Sequence, residues 1–287
     1  MAYPLMEHLT GNGFLFCGKY YRVSSELCES LQKPVDIRTY YETIRVKDGV
    51  LLFAEDHLAR LVKSVKGLED FPVDTSKILE ESYSFVDLEK ITDGSIRIVL
   101  TKESLLIHQA DITLPGKELF EQGINTSLLN WERKTPNLKI FRGDYKTTVN
   151  EKFKKENSHG LPFELVLADN EGKLYEGSMS NLFVIRDGQV YSAPDNKILI
   201  GITRKRVMES LNRSGLELQI GTFRPEDLDP SRDAIFVSST PFDILPVRYI
   251  DDYEFKSADN EILKNISKMY QEYTSEYIGA EKRALNG

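Results

Sequence analysis

Short alternating runs of apolar and polar residues dominate the first hundred positions. Residues 13–17 and 20–23 read as β-strands, and residues 40–46 and 50–53 flank Lys47-Asp48-Gly49, which predicts a hairpin. The period then changes. After a capping candidate, Asp56, the apolar residues Leu58, Leu61, Val62, Val65 and Leu68 recur at helical spacing, with Gly67 near the end. A second helix is predicted over 76–86, and a second strand pair over 95–100 and 104–107. At Leu114-Pro115-Gly116-Lys117 the pattern breaks, which sets a boundary between a domain over 1–115 and one over 116–287.

The second half is richer in strands. Residues 124–129, 164–168 and 173–175 are predicted strands, the last two joined by Asp169-Asn170-Glu171-Gly172. Residues 182–185 and 189–191 form a hairpin around Asp187-Gly188. A polar helix is predicted over 150–157, an amphipathic one over 203–213, and a buried strand over 234–237. Ile262, Ile266, Met269, Tyr270, Tyr273 and Tyr277 fall on one helical face and predict a closing helix packed on the core. Hairpins and helices in both halves predict an α+β protein.

Composition narrows the classes. A chain of 287 residues exceeds one small core, consistent with two domains. Its net charge of −8 opposes a nucleic-acid partner, which needs a basic face, and opposes docking on anionic membranes. No apolar run approaches the roughly 20 residues that span a bilayer. The first residues lack a charged segment followed by an apolar one, so the expected location is the cytoplasm. Cys17 and Cys28 have no histidine at ligand spacing, so no metal site is expected and reduced thiols are the simpler reading.

Candidate chemistry centres on Leu174-Tyr175-Glu176-Gly177-Ser178-Met179-Ser180-Asn181-Leu182-Phe183. A carboxylate here, followed by small residues and an amide, lets backbone approach a ligand closely. Glu176 can keep a proton on a heterocyclic nitrogen, as pyridoxal phosphate chemistry requires. A strand-end surface glutamate is the plainer reading of Glu176 by itself. Gly201-Ile202-Thr203-Arg204 opens a helix, and the amides of Ile202 and Thr203 predict a phosphate seat, whether or not Thr203 also caps the helix. Ser238-Ser239-Thr240 adds hydroxyls and amides after a strand. Arg60, off the apolar stripe of its helix, is a candidate phosphate cation. Lys146 is the candidate amine, set between apolar residues and a polar helix, where desolvation and a nearby cation lower a lysine's pKa.

These pieces, in this order, resemble the fold-type IV, or class IV, pyridoxal phosphate enzymes, which include branched-chain aminotransferases, D-amino acid aminotransferases and aminodeoxychorismate lyases. The resemblance runs from about Tyr41 to Val247 and is carried by Tyr41-Glu42-Thr43-Ile44-Arg45-Val46, His57-Leu58-Ala59-Arg60-Leu61, Lys146, the Glu176 motif, Gly201-Ile202-Thr203-Arg204 and Ser239-Thr240. It implies Lys146 as the Schiff-base lysine and Glu176 as the acid at the pyridine nitrogen. It implies phosphate contacts at Arg60, Ile202, Thr203 and Thr240, with Ser178, Asn181 and Ser239 beside the cofactor. It implies a small α/β domain followed by a larger domain with a barrel-like mixed sheet, the cofactor in the interdomain cleft, and a homodimer.

The substrate side departs from the family pattern. Val35-Asp36-Ile37-Arg38-Thr39 replaces a Gly-Asp-Gly run, placing Arg38 beside Tyr41 as a substrate-binding candidate. Glu151 stands where branched-chain types carry a tyrosine. Arg97 resembles their substrate-side arginine, whereas D-amino acid types carry theirs where this chain has Thr101-Lys102-Glu103. The expected activity is amino transfer between an amino acid and a 2-oxo acid, with 4-amino-4-deoxychorismate lyase as the alternative. A non-catalytic relative is opposed by Lys146, Glu176 and Arg60 occurring together.

Overall fold

A computed structural model describes residues 3–7, 9–111 and 114–285. The chain divides into two compact units. One comprises residues 1–113, 138–146 and 275–287; the other comprises 114–137 and 147–274. The first passage from one to the other falls at Leu114. A single cut at 115 nevertheless leaves out two later segments that fold with the first unit. Their reasons are local. Phe141 stacks on Tyr41 at 4.2 Å and on Tyr3 at 5.3 Å, and Tyr277 packs on Phe53 and donates to Glu55 at 2.8 Å.

The first unit contains β1 (Tyr3–Pro4), β2 (Thr10–Phe16), β3 (Lys19–Arg22), α1 (Glu26–Leu31), β4 (Pro34–Val35), β5 (Tyr40–Lys47), β6 (Val50–Leu51), α2 (Ala54–Lys66), α3 (Thr75–Glu89), β7 (Asp93–Leu100) and β8 (Leu105–Gln109). Its main sheet runs β3-β2-β8-β7-β5-β6. The strands are apolar on both faces because both are covered. Ile98 and Ile107 face Leu58, Leu61, Ile78 and Phe85 of α2 and α3, while their neighbours Val99 and Leu106 join Met6, Phe14 and Cys28. The predicted hairpin is present, with Asp48 (φ 54°) and Gly49 (φ 76°) in the left-handed region that its two-residue turn demands. Helix α2 begins two residues before the expected cap. Phe53 (φ 54°) turns the chain, and its carbonyl takes the amides of Asp56 and His57.

In chain order the remaining elements are α4 (Lys117–Gln122), β9 (Ile124–Asn130), α5 (Gly143–Phe153), β10 (Glu164–Ala168), β11 (Leu174–Gly177), β12 (Asn181–Arg186), β13 (Gln189–Ser192), α6 (Ile202–Arg213), β14 (Leu218–Ile220), β15 (Ala234–Ser239), β16 (Asp243–Ile250), β17 (Tyr253–Glu254) and α7 (Glu261–Leu285). In the second unit the order β11-β10-β9-β16-β15-β12 returns on itself, because Glu176 of β11 pairs with Asn181 of β12. The result is a closed mixed barrel, with β9–β10 and β9–β16 parallel and the other pairs antiparallel. Its interior holds Ile124, Val166, Leu182, Val184, Ile235, Val237, Leu245 and Val247. The alternate residues Phe183, Ile185 and Phe236 pack instead with Val207 and Leu211 of α6 and Leu263, Ile266 and Tyr270 of α7. Burial on both faces explains the unbroken apolar runs of β12 and β15. The fold is thus the expected α+β arrangement with a barrel-like mixed sheet.

Candidate active site

Three separate sequence motifs meet in the second unit. The Glu176 side chain accepts the Leu199 amide at 3.1 Å through Oε2, while Asn181 Nδ2 donates to the Leu199 carbonyl at 2.8 Å. Leu199 is therefore held on both its backbone groups by one motif, two residues before Gly201 and the start of α6. The third motif joins through Ser239, whose hydroxyl donates to the Met179 carbonyl at 2.7 Å. Glu164 of β10 braces the intervening turn. It accepts the Ser178 hydroxyl at 2.6 Å, the Ser180 hydroxyl at 2.7 Å and the amides of Ser178 and Met179 at 3.1 and 3.2 Å. Glu176, Ser178, Asn181, Ile202, Thr203 and Ser239 are all buried, and Thr240, the residue after β15, is half-buried.

The electrostatics of this cluster suit a cationic ring. Burial pushes the Glu176 carboxyl up to about 7, against the pull of Arg133 and the Leu199 amide; nearby Glu164 adds to the rise. Arg133 Nε stands 3.0 Å from Glu176 Oε1, a charge contact without the alignment of a hydrogen bond. Oε1 is consequently a buried acceptor that takes no hydrogen bond among the described residues. A protonated pyridine nitrogen is the partner such an oxygen lacks. Helix α6 starts at Ile202 after an extended Gly201, and no side chain caps it. The Thr203 backbone amide, at the start of the helix, is available to an anion. The residues present fit pyridoxal phosphate.

The first unit carries a different cluster. Arg60 donates Nε and Nη2 to the two oxygens of Glu42 at 2.7 and 2.6 Å, and His57 Nδ1 lies 2.7 Å from the same carboxylate. Burial opposes the Glu42 charge, but Arg60, Lys139 and the hydrogen bonds outweigh it and hold the carboxyl far below the usual range. Burial lowers His57 despite Glu42. Tyr41 is covered by Arg97 at 5.7 Å and Lys139 at 5.2 Å from its ring centre. Arg97 donates to Glu7 at 3.1 Å, and Lys146 pairs with the same carboxylate at 3.3 Å. Burial lowers the Lys146 amine, Arg97 adding to the fall and Glu7 opposing it. Tyr41, Arg97 and Lys146 are thus brought together. Arg38 stands apart, exposed and donating to the Leu68 carbonyl at 3.3 Å.

Six residues of these clusters were not anticipated as site members: Glu7, Glu42, His57, Arg133, Lys139 and Glu164. Helix α5 starts at Gly143, not Asn150, so Lys146 lies on the helix and Lys139 precedes it. Lys139 donates its amide to Ser64 of α2 at 3.2 Å, and its charge acts on both Glu42 and His57. A helix start placed at Gly143 was the signal that could have exposed it.

The model of the amino-transferase class IV family matches residues 39–250. The chain belongs to that family, whose members are pyridoxal phosphate enzymes. It is 24% identical to D-alanine aminotransferase of Bacillus licheniformis, over 80% of this chain and 86% of that protein. It is also 24% identical to aminodeoxychorismate lyase of Bacillus subtilis (strain 168), over 80% and 84%. Among solved structures it resembles the branched-chain aminotransferase of the thermophilic archaeon Thermoproteus uzoniensis with norvaline. That likeness has a TM-score of 0.75 and 23% identity, and covers 92% of this chain and 95% of that one.

Proposed function

We propose that the chain is a pyridoxal phosphate-dependent aminotransferase that moves an amino group between an amino acid and a 2-oxo acid. The observation that carries this reading is Glu176: a buried carboxylate with one oxygen fixed by the Leu199 amide and the other taking no hydrogen bond among the described residues. When bound, the cofactor supplies an aldehyde that captures amines and a ring that draws electrons from the substrate's α-carbon. Glu176 holds the proton on the ring nitrogen through Oε1. The amides of Ile202 and Thr203, with Ser239 and Thr240, would receive the phosphate, and the sequence resemblance adds Arg60 as a cation for it. Ser178 and Asn181 fix the backbone around the ring. Tyr41 and Arg97 orient the substrate and its carboxylate.

Two lysines compete for the amine that captures the cofactor and then moves the α-proton. The family resemblance implies Lys146. The surroundings favour Lys139, because its charge acts on Glu42 and His57, the cluster that holds the candidate phosphate cation Arg60, whereas Lys146 is engaged with Glu7. Borohydride reduction of the holoenzyme and peptide mapping decides: the adduct is expected on Lys139, and an adduct on Lys146 would return the role to it.

The activity itself is tested by a panel of amino donors with 2-oxoglutarate and pyruvate. Donors should convert the bound cofactor to its amine form; failure with every donor would sink the reading. The lyase relative supplies a second reading, distinguished by pyruvate release from aminodeoxychorismate without amino transfer. The reading carries with it a homodimer, checked by sedimentation, and a cytoplasmic location, checked by fractionation.

A further inference from the structure

Two buried carboxylates lie at and beside the seam that closes the barrel. Glu164 and Glu176 sit on adjacent strands, and a Cβ placed on Gly177 would lie 3.0 Å from Glu164 Oε2. Two such groups cannot both hold a charge cheaply in a low-dielectric interior without a cation. The groups that act on Glu176 are the Leu199 amide from the turn before α6, Glu164 from β10, and Arg133 from the segment after β9. Of these, Arg133 brings positive charge. Its guanidinium is itself fixed: Nη2 donates to the Ser178 carbonyl at 3.0 Å while Nε faces Glu176 Oε1 at 3.0 Å. Charge and aim are thus set by one side chain.

We infer that Arg133 is a positioning residue, which favours the ionised form of Glu176 against its burial and directs Oε1 to the cofactor by bridging it to the Ser178 backbone. Its significance for catalysis rests on the cofactor reading above; the bridge itself does not. With the cofactor bound, Arg133 would favour Glu176 as the acceptor of the ring nitrogen's proton, and its loss would shift that proton towards Oε1 and weaken the electron withdrawal the ring supplies.

The test uses protein labelled with ¹³C at the glutamate carboxyl, stripped of cofactor, with the Glu176 resonance identified by Glu176→Gln. Arg133→Met should raise the Glu176 titration midpoint by about 1 pH unit or more, and Arg133→Lys should leave it near the wild-type value. If Arg133→Met does not fold, Arg133→Gln removes the charge and keeps a donor for Ser178. A midpoint unchanged in the neutral variants overturns the inference. In the holoenzyme, Arg133→Met should lower kcat with little change in KM and shift the cofactor's absorption towards the unprotonated ring, and Arg133→Lys should restore both. A wild-type protein that binds no pyridoxal phosphate would defeat the proposed function and leave the carboxyl titration to judge Arg133 separately.

Discussion

The two units assemble their charged residues by different means. In the first, side chains hold side chains: Glu42 takes Arg60 and His57, and Glu7 takes Arg97 and Lys146. In the second, side chains hold backbone: Glu176 and Asn181 grip Leu199, Ser239 grips Met179, and Glu164 grips Ser178 and Met179. The first arrangement depends on ionisation and breaks when one charge is removed. The second fixes the path of the chain, so a changed side chain moves the backbone that would touch a ligand.

The largest expected effect separates the two lysines within the first unit. Lys139→Met should reduce amino transfer by on the order of 10²–10⁴-fold, while Lys146→Met should cost far less; the reverse ranking would move the role back to Lys146. Glu42→Ala comes next. It leaves the Arg60 guanidinium buried without its carboxylate and should destabilise the first unit by about 3–5 kcal/mol in denaturant unfolding. A loss below about 1 kcal/mol would show that the buried Glu42–Arg60 pair contributes no more than a surface one.

Acid should then divide the units. Burial lowers His57 and brings His108 down to about 4, with Arg97 adding to the shift at His108. Folded, these histidines bind fewer protons than unfolded ones. Their stabilising contribution is therefore present above the ordinary histidine value and is lost as pH falls from about 6.5 towards 4. Glu176 has the opposite sign. At about 7 in the fold, it retains a proton that the unfolded chain releases above the ordinary glutamate value, so the second unit gains as pH falls from 7 towards 4.5. Hydrogen exchange in cofactor-free protein, corrected for intrinsic rates, should show protection falling in β5 and rising in β12 between pH 7.5 and 5.5. A fall in both would break the comparison.

The smallest effect concerns the backbone grip. A methyl group on Gly201 would collide with Asn181 Oδ1, which belongs to the amide that holds Leu199. Gly201→Ala should cost about 0.5–1.5 kcal/mol and weaken cofactor binding measured by titration. Unchanged affinity would mean that the Leu199 grip does not shape the phosphate seat.

The same division governs what the sequence disclosed. The second unit's cluster was legible because its members lie in short motifs, at a hairpin, a helix start and a strand end, where local rules apply. Arg133 and Glu164 escaped because each acts on a motif distant in sequence, and a strand or loop charge reads as solvated. In the first unit Arg60 was found as a cation, but not its partners Glu42 and His57, since nothing in strand or helix periodicity announces that a polar residue is buried with another. Lys139 was hidden by a helix start set seven residues late. Strand β16 was missed because Pro246 interrupts it, and a central strand seldom tolerates a residue without an amide hydrogen. It pairs on both sides nonetheless, with a register shift between Val247 and Tyr249 on its parallel side.

The closing pair of the barrel, Glu176 with Asn181, bears on how the chain can change in length. The turn at Asp169, Asn170, Glu171 and Gly172 lies at the other end of β11 and can absorb added residues at the surface. The turn over 177–180 cannot, because each of Ser178, Met179 and Ser180 is hydrogen-bonded to Glu164 and the strands on either side are fixed. A residue inserted there would exchange Glu176 for a neighbour at the seam. Loop grafts should accordingly survive at Asn170 and fail at Met179.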